Sequence, residues 1–471
     1  MTLFGKIARN TWEIGENDVI LLRKLAKICR RYLIITENTY IEASKVKKVE
    51  KLLGENTKFL IFQKLPDTAK GITSEILEEC VVAGFGSVFD AKFEISAEEI
   101  SENIELLSQV NGQWAYVIIK DSCVTLLRDP IGICPLFYRI KNNFILFGSE
   151  RKFLAEKSDI HNVNALNPRS IVTINLNNFK SKIGDNPVKI DFSEKRKKFV
   201  ENELRILKNL SILLEDAVRI RGEKKVAILF SGGIDSSLLA FLCERLDIAY
   251  SLYTAGLPDS ADVKFVEKIQ NNFSESPQIL EVSLKDVENA AVDVVRLIEE
   301  SDVVKVEVAI PAYLCLKKVK ENIVFSGIGT EELFAGYERH LQPRWQNVHN
   351  ACVKGMLNIW MRDLYRDFVI SSNFCKELRM PYLDKRLVEY SLKIHPKLRI
   401  GSKKDKKKLI LRKLAIKLGL PKEIAFRAKK AAQYGSGVSK ALKKICKEKG
   451  AKYRKELLEA IWKGLSEDLL K

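Results

Sequence analysis

The chain has no Cys-x-x-Cys pair, no apolar run long enough to cross a bilayer, no internal repeat and no low-complexity tract. Its nine cysteines, at 29, 80, 123, 134, 243, 315, 352, 375 and 446, are odd in number and scattered. That usage argues against a disulfide framework or a zinc ribbon and predicts a reducing, cytoplasmic setting. A membrane span needs about 20 consecutive apolar residues, and Met1-Thr2-Leu3-Phe4-Gly5-Lys6 has none of the features of a secretory signal. No membrane association or export is expected.

What is present is a soluble globular composition. A length of 471 residues with 46% hydrophobic and 30% charged side chains suggests two or three domains with ample core. Net charge is +18, from 79 basic and 61 acidic residues. The excess is C-terminal: residues 401–471 carry 22 Lys plus Arg against 7 Asp plus Glu, including Lys403-Lys404-Asp405-Lys406-Lys407-Lys408. Such a cluster reads either as a nucleic-acid footprint or as a solvated Lys-rich face. Without interleaved aromatics or an RNA-binding motif, nucleic acid is not the favoured partner. A homo-oligomer is left open.

The most informative stretch is Leu229-Phe230-Ser231-Gly232-Gly233-Ile234-Asp235-Ser236-Ser237. Val226-Ala227-Ile228-Leu229-Phe230 before it is the continuous apolar run of a strand buried on both faces. Leu238-Leu239-Ala240-Phe241-Leu242 after it continues with helical spacing. Between them, two glycines allow close backbone approach, and hydroxyls cluster where a helix N-terminus exposes unpaired N–H groups. This is an anion site suited to phosphate. It has no Lys, unlike a Walker-type loop, and Asp235 supplies a carboxylate for a divalent metal bridging phosphate oxygens. Ser-Gly-Gly-x-Asp-Ser-Ser in this setting resembles the pyrophosphate loop of ATP pyrophosphatases, which cleave ATP between its α and β phosphates. ATP and Mg2+ are the implied cofactors, with Leu229, Ser231, Gly232, Gly233, Asp235, Ser236 and Ser237 at the nucleotide.

Tyr250 to Gly256 reads as the next strand, and its carboxyl end should bring Thr254 and Gly256 near the nucleotide. Asp262 is expected to cap the following helix. Further strands and helices are expected at Pro277–Val282, from about Asp286, and from Pro311. Ile323-Val324-Phe325-Ser326-Gly327-Ile328-Gly329-Thr330-Glu331-Glu332-Leu333-Phe334-Ala335-Gly336-Tyr337 is again a buried strand meeting a Gly-containing turn and paired carboxylates. It resembles the Ser-Gly-x-Gly-x-Asp-Glu-Leu-Phe-x-Gly-Tyr signature of the asparagine synthetase family. The resemblance adds Ser326 and Gly327 to the nucleotide site. It makes Asp235 and Glu331 joint magnesium ligands, with Glu331 one methylene longer than the family's Asp. Position 328 departs from it: Ile328 stands where asparagine synthetases carry a Glu thought to accept a proton from attacking ammonia, which Ile cannot do.

Three later segments extend the resemblance. Glu377-Leu378-Arg379-Met380-Pro381-Tyr382-Leu383-Asp384 matches Glu-x-Arg-x-Pro-Phe-Leu-Asp, with Arg379 and Asp384 expected as a structural ion pair. Lys408-Leu409-Ile410-Leu411-Arg412 matches Lys-x-x-Leu-Arg, and Arg427-Ala428-Lys429 matches Arg-x-Lys. The family mechanism makes the last Lys the cation that stabilises charge at the α-phosphate, so Lys429, rather than Lys430, joins Asp235 and Glu331 as a catalytic residue.

In the N-terminal third, Tyr32–Ile35 and Phe59–Phe62 read as strands. Residues 111–150 read as an antiparallel meander that resembles the later half of class II glutamine amidotransferase domains, through Arg128-Asp129-Pro130-Ile131-Gly132 and Ser149-Glu150. That family's nucleophile is a Cys at position 2, where this chain has Thr2, and its Arg-Gly-Pro-Asp and Asn-Gly-Glu motifs have no counterpart here. No N-terminal nucleophile is assigned. Cys123 and Cys134 are expected in core positions.

The expected fold is therefore α/β. A degenerate N-terminal-nucleophile-type antiparallel β-sheet domain spans 1–185, a doubly wound parallel-sheet ATP pyrophosphatase domain 200–437, and a basic helical extension 438–471. The resemblance covers 105–155 and 200–437. It implies an AMP-forming ligase that adenylates a small-molecule carboxylate, by default aspartate, and joins it to ammonia or another amine rather than hydrolysing glutamine efficiently. An RNA-modifying ATP pyrophosphatase and a non-catalytic nucleotide-binding scaffold are the alternatives.

Overall fold

The computed structural model describes residues 95–468 apart from 142–143, 156, 195–197, 343 and 402–406. Before residue 95 it describes chiefly the strands Leu3–Glu13, Tyr32–Thr36, Tyr40–Ala43, Asn56–Lys64, Ser74–Ile76 and Cys80–Val88. Thr2 and Cys29 lie outside the described residues. The chain divides into two compact units: Met1–Lys189 with Ser372–Glu377, and Ile190–Ser371 with Leu378–Lys471.

The first unit contains two antiparallel sheets, of seven and six strands. The expected meander is divided between them. Gly112–Lys120 pairs with Cys123–Arg128 in the six-stranded sheet, whereas Phe137–Lys141 pairs with Phe144–Gly148 in the seven-stranded one. The intervening turn makes the crossing. Asp129 is buried, and its carboxylate accepts from the backbone N–H groups of Ile131, Gly132, Ile133 and Cys134. Arg128 donates to the carbonyls of Gly132 and Leu166. These bonds satisfy a buried turn that could not otherwise leave solvent. Cys134 is 1% exposed, a core position as expected, and Cys123 is half-buried.

The second unit is built on a five-stranded sheet. Its strands are β1 (Lys225–Leu229), β2 (Ala249–Gly256), β3 (Gln278–Glu281), β4 (Ile323–Phe325) and β5 (Glu377–Arg379), in the order β3-β2-β1-β4-β5. The β1–β2, β1–β4 and β2–β3 pairs are parallel. Val226, Ala227 and Ile228 are fully buried, which is why β1 reads as an unbroken apolar run. The order reverses between β1 and β4, and crevices at such switch points bind ligands.

Helices cover this sheet: α1 (Glu203–Arg221), α2 (Ile234–Arg245), α3 (Ala261–Ile269), α4 (Leu284–Ile298), α5 (Val303–Leu316) and the single-turn α6 (Thr330–Leu333). Two boundaries differ from expectation. The cap of α3 is Ser260, whose hydroxyl accepts from Val263 N, while Asp262 turns inward. Pro311 does not open a helix but lies inside α5, which begins eight residues earlier at Val303, after the Asp302 cap whose carboxylate accepts from Lys305 N. Helix Val438–Glu448 is amphipathic and buries Val438, Ala441, Leu442 and Ile445, so the C-terminal segment is packed on the unit rather than solvated throughout.

Candidate active site

The loops that leave β1 and β4 meet at the switch point. After β1, Gly232 adopts φ +68° and Gly233 caps α2. A Cβ at Gly232 would come within 3.0 Å of Phe265, so the left-handed turn and the close packing both call for glycine. The Ser231 hydroxyl accepts from Gly233 N, and Ser236 Oγ accepts from Ser231 N, each at 3.3 Å. After β4, Ser326 N donates to Arg379 O, and Gly329 adopts φ +99° to open α6. A Cβ on Gly327 would sit 2.8 Å from Asp235 Cβ, which measures how closely the two loops are apposed.

This apposition brings Asp235 and Glu331 onto one cation. Lys408 Nζ donates to Asp235 Oδ1 at 2.8 Å, Asp235 Oδ2 at 2.7 Å, Glu331 Oε1 at 2.7 Å and Thr330 Oγ1 at 3.0 Å. Lys429 pairs with the same Glu331 oxygen. Burial alone would raise the Glu331 pKa, but the two lysines outweigh it and hold the carboxyl well below the usual range. Glu331 and Asp235 in turn raise the Lys429 pKa against its desolvation. Lys429 is 37% exposed and Lys408 only 2%, so one ammonium stands at the opening and the other behind it.

Lys408 was hidden in the sequence inside a charge run that looks like solvated surface. It is buried, in a left-handed conformation (φ 58°) immediately before helix Leu409–Leu418. The signal that could have found it is its place at the head of the Lys-x-x-Leu-Arg segment. Arg412, from the same segment, donates to the carbonyls of Ala425 and Arg427 and so fixes the approach of Lys429. Arg427 donates to Ser231 O and to Asp262 Oδ1, tying the β1 loop to α3. Burial raises the Asp262 pKa, and Arg427 opposes that rise. The pocket around Ser231 and Asp235 is lined by Lys407, Lys408, Arg412, Arg427, Lys429 and Lys430. Part of the C-terminal basicity is thus the wall of this pocket.

The remaining expected residues divide into two groups. Leu229, Ser231, Asp235, Ser236, Ser326, Gly327 and Glu331 line a connected cavity of 1290 Å³. Gly232, Ser237, Thr254 and Gly256 stand behind its surface: Thr254 Oγ1 donates to Phe230 O at 2.5 Å, and Ser237 is fully buried. Asp384 and Arg379 are both fully buried, but where a pair between them was expected, Asp384 pairs with Arg221 and Arg386, and Arg379 with Glu223. Arg221 pairs with Asp384 at 2.7 Å, and Arg379 donates to Arg221 O.

No group of three or more His, Cys, Asp or Glu side chains is arranged to hold a metal among the described residues. Asp235 and Glu331 form a two-carboxylate pair instead, and Glu331 Oε2 is buried without a hydrogen-bond partner. A pair of hard oxygen donors with a spare oxygen suits a magnesium ion that keeps its other ligands from phosphate and water.

Segments 209–369 and 343–471 match the family model described as asparagine synthase, and residues 75–156 match a glutamine amidotransferase domain. The chain belongs to the asparagine synthase family. A putative glutamine-hydrolyzing asparagine synthetase of Methanocaldococcus jannaschii is 31% identical over 74% of this chain and 73% of its own length. Glutamine-hydrolyzing asparagine synthetases of Acanthamoeba polyphaga mimivirus (named as probable) and Mesocricetus auratus are each 28% identical, over 69% and 70% of this chain respectively. The chain spans 64% of the length of each of those two. A Bacillus subtilis glutamine phosphoribosylpyrophosphate amidotransferase aligns over 55% of this chain and 67% of that one, at 14% identity and a TM-score of 0.29. The amidotransferase match begins about thirty residues before the segment that resembled it in sequence, taking in the strands from Ser74 onward.

Proposed function

We propose that this asparagine synthase family member is an ATP-dependent carbon–nitrogen ligase that activates a carboxylate as its adenylate and releases pyrophosphate. The observation that carries the reading is the single cluster formed by Asp235, Glu331, Lys408 and Lys429 at the switch point of the sheet. In this reading the triphosphate lies along the β1 loop, against the hydroxyls of Ser231 and Ser236 and the N-terminus of α2. Asp235 and Glu331 would hold a magnesium ion, which would supply neutralisation of phosphate charge. Lys408 and Lys429 then turn from the carboxylates to phosphate oxygens. Lys429, at the opening, faces the α-phosphate, where charge grows as the carboxylate attacks; a preorganised cation there is worth about 10²–10³ in rate. Lys408, deeper, faces the departing pyrophosphate.

The amine is free ammonia or another donor. The sequence lacks the Arg-Gly-Pro-Asp and Asn-Gly-Glu motifs expected to bind glutamine, and Ile328 removes the carboxylate that would receive ammonia's proton. Asparagine formation from aspartate is the reference reaction because the relatives bear that name. The test is to supply ATP, magnesium, ammonium and a panel of carboxylates and to follow AMP and pyrophosphate. Carboxylate-dependent pyrophosphate release that Asp235→Ala abolishes is the expected result. Formation of ADP, or turnover indifferent to that substitution, would sink the reading.

A further inference from the structure

Helix Val438–Glu448 has two sharply different faces. Val438, Ala441, Leu442, Ile445 and Cys446 are buried, whereas Lys440, Lys443, Lys444 and Lys447 are exposed. Spacings of three and four residues put those lysines on one side of the helix, over about 10 Å of its length. Glu448, at the last position, is the helix's one acidic residue. Among the described residues, Lys440, Lys444 and Lys447 form no ion pair. Lys443 is attracted to Glu307, whose carboxylate Arg454 already engages.

The fold also exposes two aromatic rings within this basic segment. Arg454 donates to Ser439 Oγ at 2.6 Å, so the chain past Gly450 returns to the first turn of the helix and brings Tyr453 back beside it. Tyr453 is 58% exposed and Tyr434 is 62% exposed. Tyr434, Lys430, Gly437 and Lys440 line the cavity of the candidate active site, so the basic face begins at that cavity.

A row of uncompensated positive charge flanked by bare aromatic rings tracks a nucleic-acid backbone while the bases stack. The apolar face of the helix is packed on the unit, which leaves no hydrocarbon to enter a bilayer. A duplex hides the faces of its bases, whereas RNA presents unpaired bases in loops and ends that stack on aromatic side chains. We propose that this surface binds single-stranded RNA, with phosphates along Lys440, Lys443, Lys444 and Lys447 and bases stacked on Tyr434 and Tyr453 at the cavity end. The surface lies outside the adenylation chemistry, and the ligase reading stands or falls on its own test.

The test is fluorescence anisotropy of the full chain with a short labelled RNA of mixed sequence, repeated over a series of salt concentrations. Each lysine–phosphate contact on a single strand contributes about 0.7 to the slope of log Kd against log salt, so the slope should be at least about 2.8. The double variant Lys444→Ala, Lys447→Ala should lower it by about 1.4. Its Tm should not change, which separates a lost contact from a lost fold. Tyr434→Ala and Tyr453→Ala should each raise Kd at least about fivefold through the lost stacking. The same strand annealed to its complement should bind more weakly. An unchanged slope in the lysine variant overturns the inference, as does an unchanged Kd in both tyrosine variants. Tighter binding of polyglutamate or of phosphatidylserine vesicles than of RNA at the same salt also overturns it, and would assign the surface to an acidic protein or to a membrane. None of these outcomes bears on pyrophosphate release.

Discussion

Lys408 and Lys429 share one carboxylate oxygen of Glu331, yet they differ in depth, and that difference separates their expected roles. Lys429→Ala should lower the rate of carboxylate-dependent pyrophosphate release by about 10²–10³ with little change in Tm, because its ammonium stands at the opening. Lys408→Met should both lower the rate and destabilise the protein in the absence of metal. It leaves Asp235 and Glu331 facing each other across a buried space, and breaking a buried ion pair costs about 3–5 kcal/mol. Added Mg2+ should raise the Tm of Lys408→Met more than that of the unsubstituted protein, since the ion restores positive charge between the carboxylates; thermal melts with and without EDTA measure this. Equal Mg2+ shifts in the two proteins would count against Asp235 and Glu331 as its ligands. Asp235 and Glu331 stood out in sequence because they follow apolar strands and glycine turns, and Lys429 stood out only through the Arg-x-Lys resemblance. Lys408 did not, because a lysine among lysines carries no mark of burial.

At the level of elements, the site depends on two loops held too close for side chains. A Cβ on Gly336 would lie 1.7 Å from Glu331 Oε2 and 2.4 Å from Lys408 Cε. Gly336→Ala should therefore displace Glu331 and abolish pyrophosphate release, while the parallel sheet, which it does not touch, stays folded; activity and circular dichroism measured together check both halves. The strands of that sheet were readable from their unbroken apolar runs. The helix boundaries were less so. Pro311 looks like a helix start because proline is tolerated at a first turn, but Asp302 caps α5 earlier and packing carries the helix through the proline. Asp262 looks like a cap by residue type, and Arg427, 165 positions away in sequence, draws it inward instead. In the first unit, the residues from 111 to 150 alternate as one meander would, and only the Asp129 turn shows that they serve two sheets.

At the scale of the whole chain, acid sensitivity and the C-terminal segment follow from burial. His340 is fully buried, and burial, with Arg339 beside it, pushes its pKa down to about 4. In the unfolded chain it titrates near 6.5. The unfolded state therefore binds the extra proton first, so stability present above about pH 6.5 is lost as pH falls from there toward 4. The loss attributable to this group is up to about 3 kcal/mol. His340→Gln should flatten the stability profile over that window, measured by denaturant melts at pH 4.5 and 7.5. Removal of residues 438–471 should lower Tm and promote aggregation. It strips Val438, Ala441, Leu442 and Ile445 from the core and leaves Glu307, which is 2% exposed, without Arg454. A truncated chain as stable as the full one would show the segment to be an appendage.

The sequence by itself determined the fold class and the two glycine-bearing loops at the ends of its buried parallel strands. Those features are local: an apolar strand, a glycine turn and a carboxylate within a dozen residues reflect constraints that operate between neighbours. The tertiary structure decided which distant charges meet. Asp235 and Glu331 converge because parallel strands deliver their loops to one edge of the sheet, and Lys408, at the head of helix Leu409–Leu418, reaches both of them there. Whether a lysine faces water or a buried carboxylate is settled only there, since desolvation depends on what the rest of the chain packs around it.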